Sequence, residues 1–116
     1  GIHYKEEGSP MTKLVTVVKG KGMDYVIDLR KGSPTYLQWE SIELSEENAL
    51  AVQIPAGFGH AFISLQKDTI QLYAVDRSGA DAHSEHINYS DPHIGLKLPM
   101  PVSEISDYDQ NAPFVF

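Results

Sequence analysis

The 116-residue sequence contains no cysteine. That excludes disulfides, thiolate metal sites and cysteine nucleophiles, and it fits a reducing compartment such as the cytoplasm. No apolar run approaches the ~20 residues needed for a membrane-spanning helix. Gly1 to Gly8 is polar and acidic, unlike the basic-then-apolar opening of a secretory leader. Positive charge is scarce: Lys and Arg number 9 against 16 Asp and Glu, for a formal net charge of −7. Such a balance gives no long-range attraction to nucleic acid or to an anionic membrane, although a few lysines can still hold a phosphate locally. There is no internal repeat and no low-complexity tract. A chain of this length is expected to build one core, and thus one domain over residues 1–116.

What is present reads as strands. Lys13 to Val18 is rich in β-branched residues, and Gly20-Lys21-Gly22 supplies a hairpin turn. Met23 to Leu29 alternates, with Met23, Tyr25 and Ile27 on one face and Asp24, Val26 and Asp28 on the other; the alternation leaves open which face turns inward. After a turn at Lys31 to Pro34, the pattern predicts a longer strand over Thr35–Leu44 and a polar connection at Ser45 to Asn48. Short strands follow over 49–54, 57–65 and 69–75. The spacing of turns, near the ~8–12 residues of sandwiches and barrels, predicts an all-β fold. Residues 77–93 are polar, and prolines at 92, 99, 101 and 113 break up the remainder into loops with room for one short strand or helix.

The most specific local pattern is Pro55-Ala56-Gly57-Phe58-Gly59-His60, with Ser64 four residues on. It is similar to the second conserved motif of cupins, P-x-G-x-x-H-x-x-x-N, in which a tight turn delivers a histidine into a barrel. Taken alone, His60 fits a buried structural histidine equally well. A cupin metal site needs an H-x-H pair in its first motif; near His3 there are only Glu6 and Glu7, so a metal centre is not expected. His83, His86 and His93 form a second cluster, with a spacing that suits a helical face, but a solvated polar loop is the simpler reading.

The order of motifs resembles the dTDP-4-dehydrorhamnose 3,5-epimerases. Gly1-Ile2-His3-Tyr4 is similar to their G-L-H-[FY], and Lys13-Leu14-Val15 to K-L-V. Asp24 to Lys31 resembles D-V-A-V-D-[IL]-R-K, and Gly32 to Trp39 resembles [GS]-S-P-T-[FY]-x-x-W. Leu44 to Asn48 matches L-S-x-E-N, Ile54 to Phe62 matches I-P-x-G-F-A-H-G-F, and Asp91 to Ile94 and Ile105 to Asp109 match D-P-x-[IL] and [IL]-S-x-x-D.

The resemblance implies a cupin-type jelly-roll barrel that assembles as a homodimer. It implies epimerisation of dTDP-4-dehydro-6-deoxyglucose at C3 and C5, without metal or organic cofactor, in rhamnose supply for surface or coat polysaccharide. It further implies that His3 is the base, Asp109 the carboxylate that orients it, and Tyr73 the acid on the opposite face of the sugar. Lys13 and His60 fall at substrate-binding positions, and Asp24 is a candidate to fix one of them. By residue type alone, Tyr73 would also suit a core strand, Lys13 a strand edge and Asp109 a turn cap. The family pattern carries a further segment ahead of its G-L-H, with which the present sequence begins, so a shortened relative is expected. Ala74 replaces the lysine after the acid tyrosine, and Gly79 a tyrosine that stacks on thymine. The family's glutamate falls at Ser84 or at Glu85, a further substrate-binding candidate. Proton-transfer residues are thus retained while much of the nucleotide grip is not, and a non-catalytic sugar-nucleotide-binding cupin stands as the alternative.

Overall fold

The computed structural model describes residues 1–4, 12–75 and 85–115. In chain order its elements are β1 (Ile2–Tyr4), β2 (Thr12–Lys19), β3 (Lys21–Asp28), β4 (Trp39–Ser45), β5 (Ala51–Pro55), β6 (Phe58–Ser64), β7 (Ile70–Val75), β8 (Glu85–Ile87) and α1 (Asp107–Gln110). All the strand pairings are antiparallel. They form a larger sheet of five strands in the order β4-β3-β6-β1-β8 and a smaller sheet of three in the order β5-β2-β7.

Both faces of the larger sheet are covered, which is why alternation alone could not orient β3. Its outer face carries Ile2, Tyr25, Ile27 and Ile87, all buried, and the C-terminal segment closes over them with Ile94, Leu96, Leu98 and Val115. The Tyr25 hydroxyl donates to the Lys97 carbonyl at 2.7 Å, tying that segment down. The inner face meets the smaller sheet. Val26, Phe58, Phe62 and Leu44 pack there against Val15, Val17, Val52 and Ile54. Asp24 and Val26 therefore point inward, and Met23, Tyr25 and Ile27 outward.

Two glycines shape the junction before β6. Gly57 has φ +90, which disfavours any side chain, and its carbonyl accepts from Leu29 N–H at 3.0 Å. A Cβ on Gly59 would lie 2.6 Å from Ile2 and 2.8 Å from Leu29, so β1 can approach β6 only because that side chain is missing.

The strand expected over Thr35–Leu44 is shorter than the pattern suggested: it begins at Trp39, after a turn in which Leu37 takes φ +68. The cause is Asp28, buried at the end of β3. Its carboxylate accepts from the Arg30 side chain at 3.0 Å, from the Ser33 hydroxyl at 2.6 Å and from the Thr35 hydroxyl. These bonds hold residues 30–35 in a knot and prevent pairing. The Arg30 side chain also lies over the Phe58 ring, 4.5 Å from its centroid. Arg30, with Ser33 and Thr35 supporting it, holds the Asp28 carboxyl well below the usual carboxylate range against the opposing effect of burial.

Candidate active site

β1 runs between β6 and β8, and its register sets His3 directly across from His60 on one side and from His86 on the other. Directly opposed residues in antiparallel strands have Cβ atoms about 4.5–5.5 Å apart on a common face. Three imidazoles therefore form a row across the inner face of the larger sheet. Val26 extends the row as the partner of His60 on β3, and Asp24 stands two residues along the same face.

Asp109 reaches this row from α1. Ser106 caps that single turn, its hydroxyl accepting from Asp109 N–H at 3.1 Å. One carboxylate oxygen of Asp109 lies 3.0 Å from His3 Nε2, and the other 3.2 Å from the Gly1 nitrogen. The approach to His3 is oblique, an electrostatic contact rather than an aligned hydrogen bond. A carboxylate beside Nε2 favours the tautomer with its proton there, leaving the lone pair on Nδ1. Burial lowers the His3 pKa below its ordinary value, and Asp109 opposes that shift only in part. His3 is therefore largely the free base at neutral pH. Burial alone would raise the Asp109 pKa; the charge of His3 and the bond from the Ser106 segment act against it.

Asp24 has no exposed surface, and neither of its carboxylate oxygens has a hydrogen-bond partner among the described residues. His60 Nε2, itself nearly buried, is in close contact with Oδ1. An ionised carboxylate buried this deeply costs several kcal/mol unless compensated, and the His60 ring is the group placed to do so. The pair presents unsatisfied polar atoms to the interior, a feature of sites completed by a ligand.

Tyr73 belongs to the smaller sheet. Its register partner on β2 is the fully buried Val15, so it rises from the inner face, yet it is 61% exposed because β7 is an edge strand. Lys13, two residues from Val15 on that face, places its ammonium 5.5 Å from the centre of the Tyr73 ring. His3, His60 and Asp24 thus line one wall of the interior, and Lys13 and Tyr73 the other. Glu85 does not join them. It pairs with Tyr4 and takes the outer face, opposite to its neighbour His86.

Glu6, Glu7, Gly79, His83 and Ser84 lie outside the described residues. The solvated polar loop expected for His83, His86 and His93 holds only in part: His86 is in β8, and His93 sits in a turn with Nδ1 2.8 Å from Asp91. Among the described residues, no three His, Cys, Asp or Glu side chains gather to hold a metal ion. Two residues next to the site were given no role there by the sequence. The His86 and Tyr108 rings stack at 4.0 Å with an interplanar angle of 15°, and His3 lies nearly parallel to both at 6.1 and 6.3 Å. The alternation Glu85-His86-Ile87-Asn88 is too short to stand out from its polar surroundings.

The family model for dTDP-4-dehydrorhamnose 3,5-epimerase matches residues 1–115. A dTDP-4-dehydrorhamnose 3,5-epimerase of Sinorhizobium fredii is 38% identical over 97% of this chain and 58% of its own length. A dTDP-4-dehydro-6-deoxyglucose 3-epimerase of Streptomyces bikiniensis is 39% identical over the same shares. The crystal structure of a 3'-monoepimerase from Streptomyces bikiniensis with dTDP-quinovose superposes with a TM-score of 0.90 at 38% identity, covering 98% of this chain and 58% of that one. The dTDP-4-dehydrorhamnose 3,5-epimerase from Elizabethkingia anophelis also gives 0.90, at 29% identity over 99% of this chain and 64% of that one. The two-sheet architecture is thus the cupin-type jelly roll of these epimerases, and the chain spans about 58% of the length of the curated relatives it matches.

Proposed function

The chain belongs to the dTDP-4-dehydrorhamnose 3,5-epimerase family, and on that premise we propose that it epimerises a dTDP-4-keto-6-deoxy sugar at C3, C5 or both. The observation that carries the reading is the division of proton-transfer groups between the two sheets. Inversion next to a ketone needs a base on one face of the sugar and an acid on the other. His3, backed by Asp109, supplies the base from the larger sheet; Tyr73 supplies the phenolic proton from the inner face of the smaller one.

The reaction follows from those placements. His3 Nδ1 takes the proton beside the C4 ketone, and the carbon's bonding pair moves toward the carbonyl oxygen to give an enolate. The imidazolium formed is stabilised by Asp109. Lys13 and the His60–Asp24 pair are the charged and polar groups placed to hold the developing oxyanion or the diphosphate. Tyr73 then delivers a proton to the carbon from the opposite side. Ala74 and Gly79, where the family pattern has a lysine and a tyrosine, favour a second reading in which the chain binds sugar nucleotide without turning it over. We propose that the catalytic groups survive with weakened binding, so activity at subsaturating substrate is weak.

A homodimer accompanies this function. Leu14, Val18, Ile70 and Leu72 on the smaller sheet are 46–56% exposed, an apolar surface that a second copy would cover. Light scattering at micromolar concentration should give twice the monomer mass; monomer alone would count against the dimer. The activity itself is tested by solvent deuterium entering C3 or C5 of dTDP-4-dehydro-6-deoxyglucose, read by NMR. Label that disappears in His3→Ala supports the epimerase. Saturable dTDP binding with no label above the enzyme-free control supports the binding protein.

A further inference from the structure

α1 carries Asp109, yet nothing within it explains its position. It is one turn long and buries none of its own residues. Ser106 caps the turn from within the same segment and so does not attach it to the sheet. Besides the contacts of Asp109 itself with Gly1 and with His3 of β1, attachments to the sheet come from the edge strand β8 and the residue after it. Asn88 Nδ2 donates to the Gln110 carbonyl at 3.0 Å and to the Ala112 carbonyl at 3.3 Å, and Asn88 N–H donates to the Pro113 carbonyl at 2.8 Å. These bonds grip the C-terminal side of the turn. On its other side Tyr108 lies face to face with His86, the two ring centroids 4.0 Å apart.

We propose that His86 is a positioning residue for the base pair: stacked on Tyr108, it docks α1 so that the Asp109 carboxylate reaches His3 Nε2. The assignment rests on the reading of His3 and Asp109 as the working pair. Its geometry is direct. His86 is the register partner of His3, so the strand pairing that fixes the base also fixes the ring on which Tyr108 rests. Tyr108 immediately precedes Asp109, so a shift of its ring carries the carboxylate with it. A flat imidazole suits the place because parallel rings attract beyond the area they bury, and the stack restrains sliding as well as tilt. His86 itself neither takes nor gives a proton in the reaction.

The test is the electrostatic coupling between Asp109 and His3, read in the full chain by following the histidine ring protons against pH in NMR, with and without Asp109→Asn. In the wild type, Asp109→Asn should lower the His3 pKa, because it removes the partner that favours the charged ring. In His86→Ala and in Tyr108→Ala this effect should shrink to less than half its wild-type size; in His86→Phe, which keeps a flat ring, it should persist. Tyr108 is 60% exposed, so its replacement keeps the test available even where His86→Ala fails to fold. Undiminished coupling in both alanine variants overturns the proposal, and so does a loss in His86→Phe as large as in His86→Ala. The titration needs no substrate, so an absence of deuterium exchange would sink the proposed epimerase activity without touching this result.

Discussion

The two faces of the larger sheet are made by the same strands with opposite chemistry. On β1, Ile2 turns outward and His3 inward; on β3, Tyr25 and Ile27 turn outward and Asp24 inward; on β8, Ile87 turns outward and His86 inward. The outer face is sealed by the C-terminal segment and satisfies the buried Tyr25 hydroxyl through Lys97. The inner face keeps a fully buried carboxylate without a hydrogen-bond partner among the described residues, beside a histidine in close contact. The outer face is thus apolar packing throughout, while the inner face adds, beside its apolar contacts with the smaller sheet, polar groups that an apolar core would exclude. The period of two keeps them apart: a one-residue slip of β1 would bury His3 among isoleucines and send Ile2 into the site.

The sharpest break in this contrast comes from His3→Ala. Removing a general base costs about 10²–10⁴-fold in rate, so deuterium exchange into the keto sugar should fall by that factor, while thermal melting moves little because His3 is only partly buried. Ile27→Ala should do the reverse. Deleting a fully buried outer-face side chain is expected to cost about 2–5 kcal/mol in urea unfolding and leave exchange per folded molecule nearly unchanged. Equal losses of activity from both substitutions would show that the faces are not separable.

The knot at the end of β3 gives a smaller effect. Asp28→Ala leaves Arg30, Ser33 and Thr35 without their shared acceptor and should lower stability by about 1–3 kcal/mol in the same unfolding assay. Acid acts through the same group. The folded-state pKa values of Asp28 and Asp91 lie below the ordinary carboxylate value. Their stabilisation is therefore complete above about pH 4 and is lost as pH falls further and the native carboxylates are protonated. Asp28→Ala should flatten that decline; an unchanged acid limb would mean that Asp28 does not drive it. The smallest expected effect is on the rate profile. With the His3 pKa lowered, the acid limb of exchange activity should fall below pH 6.5. A midpoint above that value would contradict the burial argument.

Most strand positions from Thr12 to Val75 were legible because β-branched runs and turn residues agree locally, but the hairpin expected at Gly20-Lys21-Gly22 does not form: β2 and β3 follow one another in the chain and pair in different sheets. The failures have separate causes. Thr35–Leu44 has the residues of a strand throughout, but the bonds of Ser33 and Thr35 to Asp28 depend on side-chain placement, which the period of a strand does not contain. β3 could not be oriented because both of its faces are buried. His3, His60, Lys13, Tyr73 and Asp109 were named through motif order, and the register places the first four on facing walls. Glu85 was named through the same alignment, and alternation turns it outward. Tyr108 is an unspecified position of its motif and His86 was named only in a histidine cluster; the pairing of β1 with β8 and the return of the C-terminal segment bring their rings together.

The central claim is that a proton leaves the sugar toward one sheet and returns from the other, and Tyr73→Phe tests it most directly when inversion and deuterium exchange are followed together. With the base intact and the phenol gone, deuterium should still enter the sugar from the His3 side while inverted product disappears, whereas His3→Ala should abolish both. Inversion by Tyr73→Phe at the wild-type rate would contradict the account, because it would require the second proton to come from a group other than Tyr73.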